Sequence, residues 1–290
     1  MNIIGTGRAK KKISRILGNY QKKKFDAFIY SNKGYVYFEK GIKNIAVEIE
    51  LVTFVNSASF PDLILSCITF MKVVGIPRKW TLYIDDELNK QQKAILSKLS
   101  FVYISSWDIA VSESDKMKFT KKWQLRKFAA YAGHVMNGTT IYLDSDVLFY
   151  PLFKKYVDLF KINNWYLPEP PEANNINDDL FDFFNLKKQM FIVNAGFFVL
   201  NIPPDWKKGF DYLDFCYQRD EDHYFLDQSA LNILYYHDQH AKVLDPRVFH
   251  VSANDHFMIS ALETNAFAIR HYVGLIRHKM WQLGWKIFFK

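Results

Sequence analysis

The segment Thr139–Pro151, TTIYLDSDVLFYP, sets two carboxylates inside a run of strand-forming residues. Thr139, Thr140, Ile141, Tyr142 and Leu143 favour a buried, extended strand. Asp144 and Asp146 follow at once, and a second apolar run, Val147–Tyr150, continues until Pro151 stops it. Burying an isolated charge is costly, so acids in such surroundings take partners. A divalent cation is one candidate, since hard cations take oxygen ligands and share them with phosphate oxygens. The others are Lys or Arg side chains, or the start of a helix near Pro151, where a negative charge is favoured. Either way the segment is a strand that ends at an acid pair, and such a strand needs a sheet around it.

The chain supplies one. From residue 50 strands alternate with helices, the pattern of an α/β fold with a central, mostly parallel sheet. LVTFVN (51–56) is a strand entering the polar turn Asn56-Ser57-Ala58-Ser59, and Pro61 opens a helix with Leu63, Ile64, Cys67, Ile68 and Met71 on its apolar side. WTLYIDD (80–86) is a strand, NKQQKAILSKL a helix, FVYISS (101–106) a strand and WQLRKFAAYAGHVM a helix leading to the acidic strand. A short helix follows Pro151, then WYLP (165–168) and the polar loop EPPEANNINDD, which has the length of a lid or of a loop on the acceptor side of a site. MFIVNAGFFVLN (190–201) is two apolar runs broken at Asn194-Ala195-Gly196, and a glycine inside a strand marks a bulge or a close backbone approach. A helix follows Pro203-Pro204-Asp205, Asp227-Gln228 opens the helix DQSALNILYY, and AFAIRHYVG is a late strand with His271 near its end.

Residues 1–49 read as an N-terminal extension ahead of a main domain spanning 50–290. Arg8, Lys10, Lys11, Lys12, Arg15, Lys22, Lys23 and Lys24 make its start basic, with Ile13, Ile16 and Leu17 as a weak apolar stripe; this is either an amphipathic helix or a solvated basic tail. FDAFIY, SNKG and YVYFEK then predict a β-hairpin, with IAVEIE as a further strand.

A formal charge of +8 points to an anionic partner. The two cysteines, Cys67 and Cys216, sit in apolar helical patterns as packed thiols, which excludes a disulfide framework and fits a reducing, cytoplasmic setting. No apolar run approaches the roughly 20 residues of a membrane span, and the basic start lacks a signal-peptide core. The last segment mixes Trp281, Leu283, Trp285, Ile287, Phe288 and Phe289 with Arg277, Lys279, Lys286 and Lys290, the composition either of an interfacial segment on an anionic membrane surface or of aromatics packed on the core.

Asp-Ser-Asp at a strand end, then NAGFFVLN, DQSALN and HYVG, occur in one chain in that order, each at a strand end or turn. In an open α/β sheet such ends gather ligands. On these motifs, residues 50–281 resemble the GT-A nucleotide-sugar glycosyltransferases, especially glycosyltransferase family eight, the family of glycogenin and of bacterial lipopolysaccharide galactosyl- and glucosyltransferases. The resemblance implies a Rossmann-like GT-A sheet and transfer of a hexose from a UDP-sugar to a glycan or glycolipid hydroxyl, with retention. Asp144 and Asp146, with Ser145 between them, match the DxD that holds Mn²⁺ (or Mg²⁺) against the diphosphate, and His271 matches the third metal ligand. Gly274 matches a glycine of the same late motif, and either Arg277 or Lys279 takes the place of its phosphate-contacting lysine, because the motif's Lys-Pro-Trp ending is replaced by Arg277-His278-Lys279-Met280-Trp281. Asn194, Asp227 and Gln228 match residues around the sugar and reaction centre, Lys127 a basic residue reaching the donor, and Val55, Asn56 and Ser57 the nucleoside pocket. The resemblance brings no nucleic acid among the expected partners.

Two other classes compete. A haloacid-dehalogenase phosphatase also puts DxD after an apolar strand, but near the domain's start and followed by Thr, whereas Val147-Leu148 follows here. A non-catalytic nucleic-acid or membrane-surface binder would use the +8 charge and leave the acids without a role.

Overall fold

The computed structural model describes residues 4–31, 45–112, 119–120, 122–169, 192–219, 225–252, 266–273 and 277–281. Helix α1 (Ile4–Ile29) comes first. It takes in most of FDAFIY, so the first arm of the expected hairpin is helical; the second arm, YVYFEK, lies outside the described residues. FDAFIY satisfies both a two-residue and a four-residue apolar period, and packing decides between them. Phe25 and Ile29, one helical turn apart, are both buried.

Strand β1 (Ala46–Val55) joins IAVEIE and LVTFVN into one strand. Helix α2 (Phe60–Val73) has Pro61 in its first turn, and β2 (Ile76–Ile84) follows. Helix α3 (Lys90–Leu96) starts at a capping box in which Asn89 and Gln92 satisfy each other's backbone N–H groups. Then come β3 (Val102–Ser105), α4 (Trp123–Ala132), β4 (Thr140–Leu143), β5 (Val147–Phe149), β6 (Asn164–Pro168) and β7 (Val193–Leu200). Helices α5 (Trp206–Gln218) and α6 (Leu226–His237), strands β8 (Ala241–Val243), β9 (Phe249–Ser252) and β10 (Ile269–Tyr272), and a three-residue helix α7 (Arg277–Lys279) complete the α-helices and strands among the described residues, and short 3-10 turns lie between them.

The strands form a seven-stranded sheet, β3-β2-β1-β4-β7-β6-β8, and a three-stranded sheet, β5-β10-β9. β3, β2, β1 and β4 run parallel, β7 is antiparallel to both its neighbours, and β8 is parallel to β6. This is the mixed, mostly parallel α/β sheet that the alternation of strand and helix predicts. Successive residues of β4 face opposite ways: Ile141 and Leu143 join one apolar core, Tyr142 the other. Tyr142 stacks on Phe198 at 4.7 Å, and Phe198 lies parallel to Tyr166 at 6.1 Å, a ladder of rings that pins β4, β7 and β6 in register. Cys67 and Cys216 are free, buried thiols. Among the described residues no helix is long and apolar enough to cross a membrane.

Candidate active site

The acid pair sits where the chain leaves one sheet for the other. β4 ends in the large sheet at Leu143 and β5 begins in the small one at Val147. The backbone between is fixed from both sides: Asp144 N–H donates to Gly196 O at 2.9 Å, and Tyr272 N–H donates to Asp146 O at 3.0 Å. Those two bonds bring the strand carrying Asn194 and the strand carrying His271 to the same place.

His271 Nε2 lies 3.2 Å from Asp146 Oδ1 and 3.6 Å from Asp144 Oδ2. Its Nδ1 is 2.9 Å from Asn194 Oδ1, which also accepts from Gly196 N–H at 2.7 Å. Asn194 Nδ2 in turn donates to the Glu169 carboxylate, which only accepts, so the amide orientation is set by chemistry. The amide oxygen keeps a proton on Nδ1 and leaves Nε2 turned to the acids. Burial would lower the imidazole's pKa, but Asp146 and Asp144 push it up to about 9. The proton on Nε2 therefore stands where a cation would be ligated. Asp146 Oδ1 is buried and, beyond that ionic contact, accepts no hydrogen bond from the described residues. Ligand atoms of Asp144, Asp146 and His271 all lie within 4.8 Å of one another. Two carboxylates and an imidazole with an orphaned oxygen suit a divalent cation.

Two cations flank the acids. Buried Lys127, on α4, reaches Asp144 Oδ1 at 2.7 Å and Asp227 Oδ2 at 3.1 Å. Arg277 places Nε and Nη2 at 2.7 and 2.6 Å from Asp146 Oδ2. Burial alone would raise both DxD carboxyls; Lys127 with His271 holds Asp144, and Arg277 with His271 holds Asp146, below the usual carboxylate range. For Asp227 burial prevails over Lys127 and its pKa is raised. The acids thus take the Lys and Arg partners that the competing reading of the segment required, and still present oxygens to His271. Arg277, rather than Lys279 two residues on, is the cation seen on Asp146.

On the other side of His271, Asn232 clamps α6 to β7, accepting from Val193 N–H and donating to Val193 O, both at 2.8 Å. This sets Gln228 beside Asn194, with its Oε1 3.5 Å from Asn194 Nδ2. Gln228 Nε2 is buried and has no hydrogen-bond partner among the described residues. Glu169 completes this wall, its pKa raised by burial against the pull of Asn194. The sequence pattern did not single it out; its signal was a lone acid directly after the strand WYLP. Glu169 N–H donates to Ile192 O at 2.7 Å, and the expected acceptor-side loop falls outside the described residues apart from Glu169 itself.

Val55, Asn56 and Ser57 form a separate corner at the ends of β1 and β2. Val55 is buried, Asn56 caps the turn by accepting from Ser59 N–H, and Ser57 donates its N–H and hydroxyl to Asp86 at 2.6 and 2.7 Å. Asp86 is a further residue that sequence reading passed over. Ser145 is buried between the two acids, and Gly274 lies outside the described residues. Of the two readings of the last segment, Trp281 takes core packing: it is 1% exposed and donates Nε1–H to buried Asp62 at 2.7 Å, so this residue does not face a membrane. Residues 282–290 of that tail lie outside the described residues.

No protein-family profile matches the chain, and no curated protein matches it by sequence. Solved structures do. The galactosyltransferase LgtC, crystallised with donor and acceptor sugar analogues, superposes with a TM-score of 0.53 at 15% identity, over 78% of this chain and 87% of LgtC. The apo form of the glycosyltransferase GlyE of Streptococcus pneumoniae TIGR4 gives 0.54 at 16% identity, over 83% of this chain and 62% of GlyE. An active-site mutant of LgtC gives 0.50 at 14% identity. The fold is therefore the GT-A fold of these glycosyltransferases, the one the sequence motifs resemble.

Proposed function

We propose that the protein is a metal-dependent glycosyltransferase that moves a hexose from a UDP-sugar to a hydroxyl of a glycan or glycolipid, with retention of anomeric configuration. The observation that carries this reading is the convergence of Asp144, Asp146 and His271 from two sheets, with Nε2 presented to the acids by Asn194. Asp144, Asp146 and His271 would hold the ion. A bound Mn²⁺ or Mg²⁺ supplies Lewis-acid stabilisation of a departing nucleoside diphosphate.

The protein's own groups account for the rest. Partly exposed Arg277 and buried Lys127 would supply positive charge for the diphosphate. The corner at Asn56, Ser57 and Asp86 offers polar groups to a nucleoside at the ends of β1 and β2, where open α/β sheets take their ligands. Asn194, Asp227, Gln228 and Glu169 would line the sugar side, and the Gln228 Nε2–H, without a partner among the described residues, would read a sugar hydroxyl. Buried polar groups left unpaired by the wrong sugar discriminate strongly, so one donor is preferred.

A panel of UDP- and GDP-sugars with Mn²⁺, scored by slow donor hydrolysis, tests the reading without knowledge of the acceptor. Hydrolysis of one UDP-hexose, abolished by chelation and by Asp144→Asn, is the expected result. Preference for a GDP-sugar would overturn the UDP assignment, and a product whose anomeric proton shows inversion would overturn retention.

A further inference from the structure

Helix α1 has two faces. Its inner face is buried: Gly18 lies so close to α7 that a Cβ there would stand 2.5 Å from His278 O, and Phe25 packs its ring 5.1 Å from that of Trp281. Lys22 turns the same way, donating to buried Asp62 at 2.8 Å and to Ala58 O at 3.3 Å. The outer face is apolar and open. Ile16, Leu17 and Tyr20 are 59%, 50% and 53% exposed, and Tyr20 lies four residues from Ile16 and three from Leu17, so they form one stripe. Cations border it: Arg15, Lys23 and Lys24 are exposed, and the Lys24 ammonium lies 4.7 Å over the Tyr20 ring. The helix sequence adds Arg8, Lys10, Lys11 and Lys12, and has no acidic residue before Asp26.

We infer that this face of α1 docks on an anionic lipid surface. An apolar stripe edged by lysine and arginine is the pattern of a helix lying in a membrane interface, where the side chains enter the acyl boundary and the cations meet lipid phosphates. The two other occupants fit the chemistry less well. A second copy would bring an equally basic helix against this one, with like charges facing. A nucleic acid would use the cations and Tyr20 but leave Ile16 and Leu17 with no partner, since bases offer stacking and hydrogen bonds. This docking does not depend on the proposed reaction. It does set the reaction's address: the inner face of the same helix packs on the short helix that carries Arg277, so the candidate site is held about one helix diameter, ~10 Å, beneath the docked face.

Co-sedimentation of the full chain with vesicles tests this. Phosphatidylcholine vesicles containing phosphatidylglycerol should retain the protein, pure phosphatidylcholine should not, and raised salt should release it. The triple variant Ile16→Ser, Leu17→Ser, Tyr20→Ser should bind about tenfold or more weakly, with an unchanged thermal melt because all three side chains are exposed. Lys23→Glu with Lys24→Glu should weaken binding to the charged vesicles. Undiminished binding of the triple variant overturns the inference, and so does loss of binding on truncation after Trp281 while the triple variant still binds. A wild-type dimer that the triple variant converts to monomer would show a second copy on this face, and RNA binding without vesicle binding would show a nucleic-acid surface. Each of those results also overturns it.

Discussion

Asn194 holds His271 by the ring nitrogen that faces away from the acids, with 2.9 Å between Asn194 Oδ1 and His271 Nδ1. The same oxygen takes the Gly196 N–H, so strand β7 aims a side chain of β10. Replacing Asn194 with Ala should therefore cost metal-supported UDP affinity about 10–100-fold, the usual effect of losing the group that orients an imidazole ligand. Calorimetry with UDP and Mn²⁺ measures it. Affinity within twofold of the wild type would show that the orientation comes from elsewhere.

Gly196 meets the face of the same imidazole. A Cβ at residue 196 would stand 1.9 Å from His271 Cε1, closer than any real contact, so Gly196→Ala must displace the ring. His271 is buried on its other sides and has little room to yield. The variant should fold yet give no Mn²⁺-dependent UDP binding, read by Mn²⁺ electron paramagnetic resonance during UDP titration. A normal bound-ion signal would contradict the assignment of His271 as a ligand.

Adding Mn²⁺ and UDP should raise the thermal midpoint of the wild type, because a ligand that binds only the folded state stabilises it by mass action. At 100 times the dissociation constant the gain is about 2.7 kcal/mol. Asp146→Asn should abolish the rise, and EDTA should reverse it. An equal shift in the Asp146→Asn protein would place the cation elsewhere.

Asp62 ties three elements together: it lies on α2, and it accepts from Lys22 on α1 and from Trp281 just beyond α7. Asp62→Ala leaves the buried Trp281 N–H without an acceptor, a loss of about 1–3 kcal/mol in urea unfolding. Arg277 sits four residues from Trp281, so the same variant should weaken UDP binding while Mn²⁺ binding is kept. Equal loss of both would point to general unfolding.

The order of strands and helices, the acid pair and His271 were legible because each leaves a local trace: strand formers running into carboxylates, or an apolar strand ending in a histidine. Asn194 was legible as a residue beside a strand glycine, though its grip on His271 was not, since 77 residues separate them. Asp62 carries no mark in the sequence and Trp281 reads as one aromatic of the last segment; they lie 219 residues apart, and only the fold makes them a pair. The last five residues of α1 were misread because Phe25, Ala27 and Ile29 alternate as well as they spiral. Glu169 and Asp86 belong to no spaced motif, and their roles come from what the chain lays against them.

The placement of Asp144 and Asp146 at the join of two sheets makes the site a late event in folding. Neighbouring stretches can assemble β1, β2 and β3 early, but the small sheet needs β10 to find β5. Tyr150 and Tyr272, hydrogen-bonded across 122 residues, and Arg277 with Asp146 across 131, are contacts that pay a large loop-closure entropy before they are formed. In refolding experiments the appearance of Mn²⁺ affinity should therefore lag the recovery of helical circular dichroism, and the ion would serve as a reporter of the last long-range pairing to close.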